Sequence, residues 1–361
     1  MKVRVGFVLA IALIPGCKSA TAPAAAVHVA YVTNLGDSTV SVIDVASETV
    51  TNTITVGVRS EGIAFTPNGK TAYVTDLDGD ELSVIDVASG TVTDTIHLGT
   101  GTLGKVAFTP NGTTAYVANR GDNSVSVIDV GSGTVTSSIP VGLNPFGVAI
   151  RPRGDVAYVT LNGSDSVSVI DVASGTLTRM ISVGSRPIEV AFTPDGTTAY
   201  VTDSGDASVS VIDVASATVT NTIAVGHHPA GVAVTPDETT VYVTNGMDNS
   251  VLAIDVASGT VTSTIPVGSM PYGVAVTPDG TAAYVANAGV TSVSVINVAS
   301  GTVTSTVQVG DGSGGIAVTP DGTTAYVTES IDNSVSVIDV ASGTVTATIP
   351  VGNGPGEVAI Q

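Results

Sequence analysis

The sequence predicts an all-β fold, a ring of eight four-stranded antiparallel blades or β-propeller, and three observations carry that prediction. Tyrosine returns eight times at one phase, at Tyr31, Tyr73, Tyr116, Tyr158, Tyr200, Tyr242, Tyr284 and Tyr326, spaced by 42 residues and once by 43. A fixed period in this range marks an array of one supersecondary unit. Each unit holds four short runs of alternating apolar and polar residues divided by turn signals. The pattern begins one run late and ends with one run to spare, so closing the ring completes the first blade.

The unit at residues 273–310 shows the four runs in order. GVAVTPDG alternates and then turns at Pro-Asp-Gly, a hairpin signal. TAAYVAN is the second strand and carries the tyrosine, and SVSVINVASG alternates again before turning at Ala-Ser-Gly. GTVTSTVQVG sets Thr on one face and Val on the other. Labelled a to d, these are the strands of one blade. The b run occurs eight times, and so does the a run, beginning at Gly62, Lys105, Gly147, Glu189, Gly231, Gly273, Gly315 and Glu357. A propeller domain over residues 27–361 follows, with the last a strand pairing to the first b strand and leaving no long edge. No 3.6-residue periodicity appears after the leader, which excludes stacked helix pairs.

Composition agrees. Glycine numbers 41, aromatics are 4 %, charged residues 12 %, and Trp is absent. The net charge of −20 describes a solvated surface that repels phosphate backbones and anionic lipid, so nucleic acid is not an expected partner. The single cysteine, Cys17, excludes an intrachain disulfide. Residues 1–16 read as a signal peptide, with Lys2 and Arg4 ahead of a short apolar run. Ile14-Pro15-Gly16-Cys17 resembles the lipobox of bacterial lipoproteins, although Pro15 departs from its usual small or aliphatic residue. That resemblance implies export, a lipid on Cys17 and a flexible tether at 17–26, with the lipid as the only membrane contact.

AYVTD, AYVAN and VYVTN, followed by SVSVIDVASGTVT and PYGVAVTPDG, resemble the YVTN-type β-propeller repeats of cell-surface and periplasmic proteins. The resemblance covers nearly all of residues 27–361 and implies an exported propeller of the cell envelope. Seven blades are common in that family, so eight is a departure.

The recurring residues read as structural. Each tyrosine is the largest apolar group of its unit, with a hydroxyl able to reach a neighbouring blade's backbone. Asp44, Asp86, Asp129, Asp171, Asp213, Asp255, Asn297 and Asp339 precede the VASG-type turns, where an Asx side chain accepts turn N–H groups. The informative residues are those that differ between units. The a–b and c–d turns scarcely vary, while the b–c and d–a connections vary and emerge on one face, the expected place for a site.

On that face the a strands open with Gly except at Lys105, Glu189 and Glu357, in the second, fourth and eighth. Glu189 and Glu357 are then opposite across the axis with Lys105 a quarter-turn away, a set able to hold a cation or polar ligand. His227 and His228 share the fifth d–a loop, and an extended segment would aim at most one at the axis. Phe146, Met270 and Tyr272 are bulky apolar candidates for a recognition patch. Asp78, Asp80 and Glu81 form the densest acid cluster, a weak candidate for calcium or another divalent cation. No cofactor is otherwise expected.

With near-identical units and no assembled catalytic set, the expected function is a monomeric, non-catalytic binding or interaction scaffold of the envelope. Its partner would be an envelope protein, peptide or glycan. Two other classes compete: a lactonase- or lyase-like propeller enzyme with an axial cation, and a structural surface-layer component. Fold analogy does not choose among them.

Overall fold

The computed structural model describes residues 28–99 and 101–361; the leader at 1–16, Cys17 and the tether at 18–26 lie outside the described residues. The described chain is all-β, with strands running from β1 (Val29–Asn34), β2 (Thr39–Asp44) and β3 (Thr49–Thr55) to β32 (Pro355–Ile360). They form eight four-stranded sheets, seven of consecutive strands and one ordered β3-β2-β1-β32. The ring is therefore eight-bladed rather than seven-bladed. Blade one is the composite sheet, and blades two to eight follow the chain. Successive a strands pack against one another while the d strands barely touch, so strand a lines the axis.

The closing strand pairs antiparallel with β1, setting Ala30 opposite Ile360, Tyr31 opposite Ala359 and Val32 opposite Val358. The Gln361 N–H adds a 3.0 Å bond to the Val29 carbonyl. Strand a begins two residues before the expected position, at Ser60, Pro145 or Pro355 rather than Gly62, Gly147 or Glu357. Those extra residues enclose a bulge: Pro187 pairs with Asp203 and Val190 with Val201, leaving Ile188 and Glu189 opposite Thr202 alone. A bulge of this kind bends its strand and re-aims the side chains within it.

Among the described residues the apolar core is divided into eight large clusters, one between each pair of neighbouring blades, and a small pair of Ala230 with Tyr272. Tyr73 packs with Val106, Ala115 and Val117 of the next blade, and Tyr116 with Val148, Ala157 and Val159. All eight tyrosines of the repeat are at most 1 % exposed. Tyr31, Tyr73 and Tyr158 also meet Phe65, Phe108 and Phe192 of the next blade, with ring centroids 4.9 to 5.0 Å apart. The hydroxyls play a smaller part than the sequence implies. Tyr284 Oη donates to the Val340 carbonyl one blade away at 3.5 Å. Those of Tyr31, Tyr116, Tyr158 and Tyr326 have no hydrogen-bond partner among the described residues. Burial pushes the Tyr31, Tyr73 and Tyr158 hydroxyls up to about 12. Apolar packing is what fixes these rings.

Polar residues of the repeat have local work. Asp44 Oδ1 accepts the Ser47 N–H at 2.7 Å, and Asn297 Oδ1 accepts that of Ser300 at 2.9 Å, as the turn reading expects. The Thr of the YVT strands links blades: the Thr160 hydroxyl receives the Gly147 N–H at 2.8 Å and donates to the Ile188 carbonyl of the next blade at 2.7 Å.

Two outcomes follow. Deleting residues 355–361 exposes the inner edge of β1 and strips one side of two inter-blade cores, so the truncated chain is expected to aggregate or melt far below the full chain in a thermal scan. The a–b turn holds Gly with φ of 67° to 77° at Gly69, Gly154 and Gly196, but Glu238 takes the same place with φ of 60°. Relieving that left-handed strain with Glu238→Gly should raise stability by ~1 kcal/mol in urea denaturation.

Candidate functional site

The variable connections do share one face, and backbone hydrogen bonds stitch them together. The b–c loop of each blade donates to the d–a loop leading into it: Asn162 N to the Asn144 carbonyl at 3.0 Å, Gly205 N to Ser185 at 2.9 Å, Gly246 N to His228 at 3.1 Å. One d–a residue is left-handed in most blades, with φ of 53° to 59° at Arg59, Asn144, Arg186, His228 and Met270. Gly312 and Gly354 take that place in the last two loops. Non-glycine residues in this region are strained, and such strain gathers where side chains are held for a purpose.

The bulge in strand a builds the axis. Its second residue is Lys105, Glu189 or Glu357 in blades three, five and one, and its first residue in blade two is Glu61. All four are buried, Glu61 at 7 %, Lys105 at 4 %, Glu189 and Glu357 at 2 % exposed. Lys105 does not stand apart from the two opposed carboxylates. Its Nζ lies 3.1 Å from Glu357 Oε1, while Glu357 Oε2 accepts the Ile63 N–H at 2.9 Å in the space left by Gly62. Burial works to lower the Lys105 ammonium, and the charges of Glu357, Glu189 and Glu61 overcome it and hold it above its usual range. The Lys105 ammonium thus balances part of the negative charge at the axis.

Glu189 is the unsettled member. Neither carboxylate oxygen has a hydrogen-bond partner among the described residues. Burial pushes its carboxyl up to about 7, with Lys105 opposing the rise and Glu357 and Glu61 adding to it. Glu61 was not singled out from sequence; its signal was an acid beside the Gly that opens the first a run.

Above the axis a small depression of about 130 Å³ opens between blades three and six, lined by Arg120, Phe146, Asn162, Arg186, Ile188, Ser204 and His228. The Arg120 guanidinium stacks 4.9 Å over the Phe146 ring, and its Nε donates to Asn144 Oδ1 at 3.0 Å. This is a cationic mouth in a chain of net charge −20 whose Lys and Arg residues all precede residue 187.

Several expected residues fall elsewhere. His227 turns outward, 76 % exposed in its side chain, with Nδ1 3.1 Å from Asp248; the left-handed His228 lines the mouth instead. Phe146 and Tyr272 are buried, 4 % and 8 % exposed, and only Met270 is open to solvent, so the three do not form an exposed patch. Tyr272 packs on Ala230 of the preceding blade. Within the acid cluster Asp78 is taken by Arg59 at 2.7 Å, whereas Asp80 and Glu81 meet His97, from the neighbouring d strand.

The axis generates a pH dependence. A carboxyl whose folded pKa is raised favours the fold below its unfolded value near 4.5, and that contribution is lost as pH rises through about 7. Glu189→Gln should therefore raise stability at pH 8 by roughly 2 kcal/mol and flatten the fall in melting temperature between pH 5 and 8. Asp76 and Asp203, pushed up by burial to about 7 and about 6, keep a slope of the same sign in the variant, so the flattening is partial. An unchanged pH profile in the variant would show that Glu189 stays ionised in the fold.

Comparison with known proteins agrees with this architecture. Residues 190–288 match the model of the YNCE-like beta-propeller, and residues 16–187 that of the choice-of-anchor I domain. No curated protein matches the chain. Among solved structures it is similar to Kuenenia stuttgartiensis hydrazine synthase, with TM-score 0.64 and 25 % identity over 78 % of this chain and 96 % of that one. It is also similar to the dihydro-heme d1 dehydrogenase NirN in complex with DHE, with TM-score 0.76 and 16 % identity over 92 % and 74 %. A functionally unknown protein from Desulfotomaculum acetoxidans gives TM-score 0.68 and 19 % identity over 92 % and 98 %. With its tyrosine-phased YVTN-like strands and closed ring of inter-blade cores, the chain is an eight-bladed β-propeller that is similar to the YNCE-like beta-propeller over residues 190–288.

Proposed function

We propose that this chain is an exported, lipid-anchored and non-catalytic binding protein of the cell envelope, and that it holds an acidic group of an envelope protein, peptide or glycan at the mouth of the ring. The observation that carries the reading is the convergence of Arg120, Arg186 and His228 on one depression floored by Phe146 and Ile188. Two guanidinium groups beside an apolar wall suit a carboxylate borne on a carbon skeleton, because arginine offers paired donors that match carboxylate geometry. Elsewhere the surface is strongly acidic and would repel such a ligand, which adds selectivity for this one entrance. Export and anchoring rest on the basic and apolar leader ahead of Cys17, and a match to a domain named for an anchor accords with them.

A catalytic axial cation has less to recommend it. The Lys105 ammonium already balances Glu357, and Glu189 is 2 % exposed, out of a substrate's reach.

The test is calorimetry with acidic peptides and uronate oligosaccharides against wild type, Arg186→Gln and Arg120→Lys. The conservative Arg120→Lys keeps the charge and removes the planar fork. Each variant is expected to weaken binding by about ten-fold. Full affinity in both would move the ligand away from the mouth, and ordered arrays without ligand binding would favour the surface-layer reading.

A further inference from the structure

One column of the repeat exchanges the hydroxyl that opens strand c for a carboxylate in blade two alone. The last residue of strand b, the first of strand c and the last of strand d stand side by side across each sheet on one face. In blade three the row is Asn119, Ser124 and Pro140; in blade five it is Asp203, Ser208 and Ala224. The b residue is satisfied by hydroxyls of strand c. Asn119 Nδ2 donates to Ser124 Oγ at 2.9 Å and to Ser126 Oγ at 2.8 Å, and Asp203 Oδ2 accepts the Ser210 hydroxyl at 2.7 Å.

Blade two keeps the geometry and replaces the groups. Glu81 pairs with His97, and Asp76 stands one step beyond the Thr75–Leu82 pair, so the row reads Asp76, Glu81, His97. A carboxylate now occupies the place of the hydroxyl donor. Asp76 is 1 % exposed, and neither of its oxygens has a hydrogen-bond partner among the described residues. Gly57 of the preceding blade seals it from the other side, since a Cβ there would fall 1.6 Å from Asp76 Oδ2. Asp80 joins from the b–c loop. One ligand atom each from Asp80, Glu81 and His97 lies within 4.8 Å of the others, with His97 Nδ1 3.7 Å from Glu81 Oε1. The nearby Arg59 guanidinium, 2.7 Å from Asp78, is committed to that partner. Acids gathered this closely repel one another unless a positive charge joins them.

We propose that blade two carries a divalent transition-metal site on the rim of the variable face, with Asp80, Glu81 and His97 as ligands and the buried Asp76 behind them. An imidazole with carboxylates is a donor set for Zn²⁺ or Mn²⁺ rather than for calcium, which takes oxygen ligands. The site is separate from the mouth and independent of the ligand proposed there.

The probe is Zn²⁺, titrated into the untagged, metal-stripped chain in competition with a chromogenic chelator. One ion per chain is expected. His97→Ala should weaken binding by about ten-fold or more, and so should Glu81→Ser. Glu81→Ser recreates the Asx–Ser pairing of blades three, five, six and seven, so it tests the site in a chain expected to fold. His227→Ala, which removes the other exposed His–carboxylate pair, should leave affinity unchanged. Cobalt substitution adds a second readout, a visible ligand-field spectrum that His97→Ala abolishes. Absence of stoichiometric binding, wild-type affinity in both His97→Ala and Glu81→Ser, or loss in His227→Ala instead would each overturn the proposal.

Discussion

No blade of this protein can bury its own faces, and everything else follows from that constraint. A single four-stranded sheet of Val, Ala, Ser and Thr exposes apolar surface on both sides, and isolated small sheets are marginal in water. Each blade is therefore stable only as a neighbour, with the tyrosine of strand b wedged against the next blade's a and b strands. An open stack of such units would leave two unsatisfied faces. Pairing β1 with β32 removes both, and the same pairing satisfies the edges of the first and last described strands.

Most of the fold was legible because its determinants repeat. Blade count, ring closure and the Asx turns each show as the same residue at the same phase, and the periodicity averages away local ambiguity. The site was less legible because it depends on where the repeat deviates in three dimensions. The sequence placed Lys105 a quarter-turn from Glu357, but a lysine stem is long enough to cross that distance in a narrow channel, and the pair meets at 3.1 Å. The choice between His227 and His228 turned on a left-handed φ of 59° that an extended-segment rule does not contain. His97 lies 16 residues beyond Glu81 in sequence and faces it only through strand register. Phe146 and Tyr272 look like surface anchors in a loop, yet the bulge turns both inward.

The axis and the mouth divide the labour of charge. At the axis one lysine is shared among three buried carboxylates, so little of that charge is available to solvent. At the mouth, two arginines line a shallow depression beside apolar side chains and His228, where the guanidinium charge is open to solvent. Burial strengthens the first arrangement as structure, and partial exposure fits the second for recognition.

The crowding of every Lys and Arg into residues 1–186 has a consequence at the scale of the whole ring. Because blades follow chain order around the circle, Arg59, Lys70, Lys105, Arg120, Arg151, Arg153 and Arg179 all fall on blades two to four, opposite the cation-free blades six to eight. Acids are spread all round. The molecule therefore carries an electric dipole lying in the plane of the disc rather than along its axis. A charged surface or partner would exert a torque that rolls the disc about its axis and presents one sector of its rim, so that approach is already oriented before any loop makes contact.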